Sequence, residues 1–128
     1  MKSFFKILIS LVIIFILISG VGLFYLSRGL EEGKNLKVNS LDLSQVNGGI
    51  YSGEYNSGRW SNKLEVTVND HKITGINITK DVTFPKDDIT EGLISKVIKN
   101  QNTNVDVISG STVTCKAYLK SIENALKK

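Results

Sequence analysis

The sequence has very little of the residues that cross-link a small domain or bind a metal: 128 residues contain one cysteine and one histidine. Cys115 alone cannot form an internal disulfide, so packing must hold the domain together. One His and one Cys do not supply a ligand cluster, and we predict no metal site. No Ser-His-Asp or Cys-His arrangement can be assembled either, so we predict no catalytic residue and leave enzymatic activity open.

Neither sign of charge is in large excess. The net charge is +4, and from residue 35 onward twelve Lys/Arg face ten Asp/Glu. No Lys/Arg cluster is interleaved with aromatic residues, which argues against a nucleic-acid partner. We expect a solvated, weakly basic surface close to an anionic membrane.

A long uncharged run, from Ile7 to Ser27, is present near the N-terminus. It has about the ~20 residues that cross a bilayer. A signal peptide has a shorter apolar region and a small-x-small cleavage site, so we favour an uncleaved anchor. The charges flanking the run are nearly balanced, and the short N-terminal tail favours a domain on the extracytoplasmic side of the cell membrane. We expect a single-pass anchor over residues 1–27, a linker over 28–48 and one domain over 49–128.

The middle of the chain predicts β-structure. "KLEVTV" alternates apolar and polar residues, and "GIYSGEY" precedes it. "NDHK" is typical of a turn, because Asn and Asp tolerate left-handed backbone. In "KITGINI" the apolar alternation slips by one residue, which indicates a bulge at Thr74–Gly75. Together these segments predict an antiparallel meander of about three strands.

Two amphipathic helices follow, with a possible short helix around Ser40–Val46. Asp88 and Glu91 have capping-box spacing at the start of "DDITEGLISKVIKNQ". The last helix is predicted to begin near Ser111. Its expected buried stripe is Cys115, Leu119, Ile122 and Leu126, and its expected solvent face is Lys116, Lys120, Glu123 and Lys127. The fold class is therefore α+β: a small antiparallel sheet packed by helices, preceded by one transmembrane helix.

Hydroxyl side chains crowd the start of that last helix, at Ser109, Ser111, Thr112 and Thr114, with Gly110 among them. A helix N-terminus presents free N–H groups and a partial positive charge, which suit a phosphate. Ser and Thr at this position are also the usual N-caps. On local features alone capping is the favoured interpretation.

The stretch "DVISGSTVTCKA" resembles the flavinylation motif of the FMN-binding domain family, the domain shared with the G subunit of the Rnf complex and the C subunit of the sodium-pumping NADH:quinone reductase. The matching residues are Asp106, Ser109, Gly110, Thr112 and Thr114. Ser111 stands where the family usually has alanine. "GIYSGEY" and "KITGINI" also resemble the family's opening strand and hairpin, so the resemblance covers about the last eighty residues.

The resemblance implies FMN attached covalently to Thr112 through a phosphoester, formed by a flavin transferase that takes FMN from FAD. With FMN on Thr112, the hydroxyls of Ser109, Ser111 and Thr114 could donate hydrogen bonds to its phosphate. Gly110 would let the phosphate and the transferase approach the backbone closely, and Asp106 would cap the loop or orient it for the transferase. The implied function is a membrane-anchored, phosphoester-modified flavoprotein that relays electrons, with membrane redox partners of the quinone or NADH dehydrogenase type.

Two other interpretations stay open: a module that binds FMN or another phosphorylated ligand noncovalently, and a structural envelope domain with a decayed motif. Trp60, Tyr51, Tyr55 and Phe84 could wall a flavin ring, although core packing is favoured for each. Arg59 could approach a flavin, although a surface turn is favoured. We expect His71 to lie in a solvated hairpin turn.

Overall fold

The computed structural model describes residues 1–127 and has the predicted α+β architecture. Its helices are α1 (Lys2–Ser27), α2 (Leu30–Lys34), α3 (Asp87–Asn100) and α4 (Thr112–Leu126). Its strands are β1 (Gly49–Tyr55), β2 (Asn62–Asn69) and β3 (Lys72–Lys80). Short 3-10 turns lie at Leu43–Gln45 and Gly58–Trp60. The first of these falls within the short helix expected around Ser40–Val46.

The three strands form one antiparallel sheet in the order β1-β2-β3, which confirms the predicted meander. Asp70 and His71 both have positive φ, at 51° and 58°, which confirms the turn between β2 and β3. In β3, Ile73 pairs with Val68 and Gly75 pairs with Thr67, so one residue is extra on β3. The predicted bulge at Thr74–Gly75 is therefore confirmed.

The core lies between the sheet and α4, which packs on β1 and β2. The predicted stripe of Cys115, Leu119, Ile122 and Leu126 is buried, as is the inward face of β2. Gly53 lets the helix approach closely, because a Cβ at this position would collide with the Ser121 carbonyl oxygen and the Ala125 backbone. The α4 face therefore packs directly on the backbone of β1.

The predicted capping box at the start of α3 is wrong. The helix begins at Asp87 with Lys86 at the N-cap, and no side chain among residues 1–127 caps it. Asp88 consequently lies inside the first turn instead of before it, where an acidic side chain still interacts favourably with the helix dipole. The helix is amphipathic as predicted, since Leu93 and Val97 are buried and Asp88 and Lys99 are exposed.

Glu123 was assigned to the solvent face of α4, and that assignment is wrong. Its side chain is 3% exposed. It accepts hydrogen bonds from the backbone and side-chain nitrogens of Asn39, at 3.3 and 2.9 Å, and from Lys120 Nζ at 2.9 Å. Burial alone would raise the pKa of Glu123, but these bonds outweigh it and lower the pKa.

Glu123 is buried because residues 28–48 fold back onto the domain. Val38, Leu41 and Val46 from this segment pack against the main core. Helix α2 lies on α4 so closely that a Cβ on Gly33 would collide with the Val113 side chain. Helix α1, which precedes the segment, is long and apolar enough to cross a membrane, and none of its residues is buried.

Candidate functional site

The hydroxyl-rich segment lies at the N-terminus of α4. Ser111 is the N-cap and Thr112 is the first helical residue. Gly110 has φ 83°, and a Cβ there would meet no atom within 4 Å, so its outer side is open space. The amide groups of the first helical turn have no intrahelical acceptor by geometry. This helix start is therefore free to bind an anion.

The hydroxyl groups in this segment are not used for capping. Ser111 is the N-cap residue, yet its side chain makes no capping hydrogen bond. Within residues 1–127, no hydrogen bond engages the hydroxyl of Ser109, Ser111, Thr112 or Thr114. The capping interpretation, which local sequence features favoured, thus lacks the bond that it requires.

Two adjoining cavities open at this helix start, and together they are called the cleft here. The smaller, about 160 Å³, is lined by Arg59, Trp60, Val82, Phe84, Lys86, Ile89, Gly110, Ser111 and Thr114. The larger, about 450 Å³, is lined by Leu30, Lys34, Arg59, Trp60 and residues 110–114. The Gly58–Trp60 turn and the start of α4 border both cavities, while Thr112 borders only the larger.

Arg59 stands at the boundary between the two cavities. Its guanidinium lies 4.3 Å from the centroid of the Trp60 ring and 5.8 Å from that of Phe84. Its Nε is buried and has no hydrogen-bond partner among residues 1–127. The Thr83 N–H donates to the Arg59 carbonyl oxygen at 2.9 Å, which ties the turn to the segment carrying Phe84. A buried donor without an acceptor costs free energy, so the Arg59 Nε–H is suited to donating a hydrogen bond to a ligand.

The cleft is basic. Lys34, Arg59 and Lys86 line it, and no acidic side chain does so among the residues that the structure describes. The start of α4, which is the positive end of the helix dipole, lines the same cleft. The apolar surfaces of Trp60 and Phe84 complete the walls. The arrangement combines an anion-binding helix N-terminus with flat aromatic surfaces.

The structure brings together most, but not all, of the residues predicted from sequence. Gly110, Ser111, Thr112 and Thr114 line the cleft, and Ser109 is exposed next to it. Asp106 is exposed and lines a different cavity with Lys96, whose Nζ donates to the Asp106 carbonyl oxygen at 3.4 Å.

Among the four candidate aromatic walls, Trp60 and Phe84 line the cleft. Tyr51 packs against the main core and donates from its hydroxyl to the Asn47 carbonyl oxygen at 2.7 Å. Tyr55 packs in a small buried cluster with Trp60 and Ala117. The basic residues Lys34 and Lys86 were missed, because their place in the cleft depends on how distant segments pack and no local pattern signals it.

The comparison with known families agrees with this geometry. The FMN-binding domain family matches residues 58–127, more than half of the chain, and the match includes both the Gly58–Trp60 turn and the whole hydroxyl-rich segment. The chain belongs to the FMN-binding domain family. No curated protein matches it.

As an FMN-binding domain, the chain has residues that fit this cofactor. The free amides of α4 and the basic side chains Lys34 and Arg59 suit the FMN phosphate. Trp60 and Phe84 provide flat surfaces for an aromatic ring. The unpaired Arg59 Nε can donate to either part of the ligand. With α1 at the N-terminus, these features fit a membrane-anchored flavin-binding protein.

Proposed function

We propose that this chain is a membrane-anchored flavoprotein that carries FMN covalently on Thr112 and relays electrons on the extracytoplasmic side of the membrane. The observation that carries the proposal is the set of unengaged hydroxyls at the start of α4, inside a basic cleft of an FMN-binding domain. Hydroxyls that served only as caps would be bonded to the backbone amides next to them.

Thr112 is the proposed acceptor because it holds the position of the attachment threonine in the motif that the segment resembles. It borders the larger cavity together with Lys34 and Arg59, whose charges would offset those of a phosphate. Attachment by a flavin transferase forms the bond between Thr112 Oγ and the FMN phosphorus and breaks the pyrophosphate bond of FAD. AMP leaves, and the threonine proton passes to a base on the transferase or to water. The modified chain is then a phosphoester-linked flavoprotein.

Bound FMN supplies electron-transfer chemistry, and a phosphoester linkage leaves its ring chemically unaltered. The chain's own residues bind and orient the group. Trp60 and Phe84 would contact the ring, Arg59 would place a positive charge beside it, and Gly110 would leave room for the phosphate. We propose membrane redox partners of the quinone or NADH dehydrogenase class.

Covalent attachment suits a domain outside the cell. A noncovalent cofactor dissociates by mass action when its free concentration is far below its dissociation constant. A phosphoester removes that dependence. The anchor α1 and the attachment segment therefore support the same proposal, although each is a separate feature of the chain.

Intact-mass measurement tests the proposal. The chain is expressed with and without a flavin transferase and analysed under denaturing conditions. We expect an adduct equal to FMN less one water only when the transferase is present. An unmodified mass, together with FMN that binds the folded protein and is released on unfolding, would favour the noncovalent module. If neither an adduct nor FMN binding is found, the remaining interpretation is a structural envelope domain with a decayed motif.

Sidedness has its own test. Protease is added to intact cells, and the domain is followed by immunoblotting. Digestion of residues 35–128 in intact cells is expected, because the short N-terminal tail favours a cytoplasmic N-terminus. Protection until lysis would place the domain inside.

A further inference from the structure

The Gly58–Trp60 turn packs against the end of the membrane helix. A Cβ on Gly58 would collide with the Arg28 carbonyl oxygen, and a Cβ on Gly29 would collide with the Ser57 side chain. A cavity at this junction is lined on one side by Tyr25 and on the other by the residues before and after the turn. The turn therefore lies at the level of the last helical turn of α1, where Tyr25 is placed as an interfacial aromatic residue would be.

Phe84 lies at the same end of the sheet as this junction. Because the strands are antiparallel, the end of β1 at Tyr55, the start of β2 at Asn62 and the end of β3 at Lys80 are side by side. The segment that follows β3 emerges there, and the Thr83–Arg59 hydrogen bond of 2.9 Å fixes it to the turn.

The Phe84 side chain is 56% exposed. Among residues 28–127, Phe84 and Ile50 are the two large apolar side chains that are exposed. Ile50 lies at the other end of β1, five residues from Tyr55, which is about 17 Å at the usual rise of a strand. An exposed aromatic ring on the end of a domain that abuts a membrane helix is typical of a residue that enters the lipid headgroup region.

We propose that the rim formed by Phe84 and the Gly58–Trp60 turn docks on the bilayer that α1 spans, with the exposed part of the Phe84 ring among the lipid headgroups and the rest against the cleft. The charges nearby do not favour one lipid charge, because three basic and three acidic residues balance: Arg59, Lys80 and Lys86 against Asp81, Asp87 and Asp88. Apolar contact therefore sets the docking. The cleft then opens at the membrane surface, and this inference holds whether or not FMN is attached covalently.

Tryptophan fluorescence provides the test, because the chain has one tryptophan and Trp60 is 5% exposed. Phe84→Trp and the matched control Ile50→Trp are each introduced into the full chain. The proteins are made without a flavin transferase, so no flavin absorbs the emission, and are reconstituted in lipid vesicles. Quenching is measured with lipids brominated near the headgroup, with lipids brominated deep in the acyl chain, and with acrylamide in the water. The unmutated chain gives the Trp60 background.

For Phe84→Trp we expect several-fold more quenching by the shallow bromines than for Ile50→Trp, weaker quenching by the deep bromines, and protection from acrylamide. The same result is expected in zwitterionic and in anionic vesicles. Equal quenching of the two variants, with both open to acrylamide, would overturn the proposal and leave the rim free for a soluble partner. Flavin attachment is assayed separately by mass, so failure of the proposed function would not be mistaken for failure of docking.

Discussion

The guanidinium of Arg59 lies over the indole of Trp60, 4.3 Å from the ring centroid, at the point where the two cavities of the cleft meet. The contact holds a positive charge against a flat apolar wall. Arg59 Nε is buried without a partner in the described part of the chain, so the pair is ready to receive a ligand that is both anionic and aromatic.

Replacing Arg59 should impair flavin attachment. Arg59→Gln removes a positive charge from the cavity that Thr112 borders, so we expect flavinylation by a transferase to slow several-fold. The flavinylated fraction is followed by intact mass over time. Lys99→Gln, on the exposed side of α3 and outside the cleft, is the matched control and should label like the unmutated chain. Equal labelling of the two variants would show that Arg59 has no part in the site.

Truncating the buried side of α4 should destabilise the domain. Leu119 is 2% exposed and Ile122 is fully buried. Leu119→Ala or Ile122→Ala should each cost on the order of 2–5 kcal/mol through lost burial and a residual cavity. Thermal unfolding in detergent measures the change, with the exposed Lys127→Ala as control. A melting temperature unchanged by Leu119→Ala would contradict the core described here.

Adding a methyl group at Gly53 should also destabilise the domain, in this case by overcrowding the contact between β1 and α4. The methyl group would overlap the backbone of α4 and force the helix off the sheet, at a cost of about 1–3 kcal/mol. Gly75→Ala is the matched control, since a Cβ there meets nothing within 4 Å. We expect Gly53→Ala to lower the melting temperature clearly more than Gly75→Ala. Similar values would mean that α4 does not approach β1 so closely.

The buried Glu123 should make stability depend on pH. Its folded pKa lies below the ordinary value of 4.5, because hydrogen bonds from Lys120 and Asn39 outweigh burial. The carboxylate therefore contributes stability that is fully present above pH 4.5 and is lost as the pH falls through the lowered folded pKa. Glu123→Gln should be less stable than the unmutated chain at pH 7, and the difference should shrink below pH 4.5.

Melting temperatures measured across this pH range test the Glu123 prediction. Glu91→Gln, at an exposed position on α3, serves as control. Its difference in melting temperature from the unmutated chain should not shrink as the pH falls. A difference between Glu123→Gln and the unmutated chain that stays constant with pH would show that Glu123 is not bonded as a carboxylate.

Local patterns were enough to predict the three strands and helices α1, α3 and α4, but not α2, which lies in the predicted linker. The period-two alternation of β2 and the left-handed tolerance of Asp70 act within a few residues of sequence, and the structure confirms both. Glu123 shows where this fails. Its helical position indicated solvent, but residues 28–48 cover that side of α4, and only tertiary packing determines this.

The candidate site was likewise predictable from sequence only in part. The start of α4 was predictable, because its hydroxyls and Gly110 are adjacent in sequence. Arg59 was named only as a residue that could approach a flavin, and Lys34 was not predicted at all, since the strand connection and helix α2 reach the start of α4 only in the folded chain.

The central claim is that Thr112 accepts the flavin. Thr114 is two residues on, about 200° around the helix, so one phosphate seat cannot serve both residues equally. Ser111 occupies the position where the family usually has alanine. Each hydroxyl is therefore removed separately, in the variants Thr112→Ala, Ser111→Ala and Thr114→Ala.

The most direct measurement is covalent flavin fluorescence on a denaturing gel, with each variant made alongside an active flavin transferase. The account predicts no fluorescence for Thr112→Ala, full fluorescence for Ser111→Ala and at most a reduction for Thr114→Ala. Fluorescence retained in Thr112→Ala would contradict the assignment of the attachment residue, and its absence from the unmutated chain would contradict covalent attachment altogether.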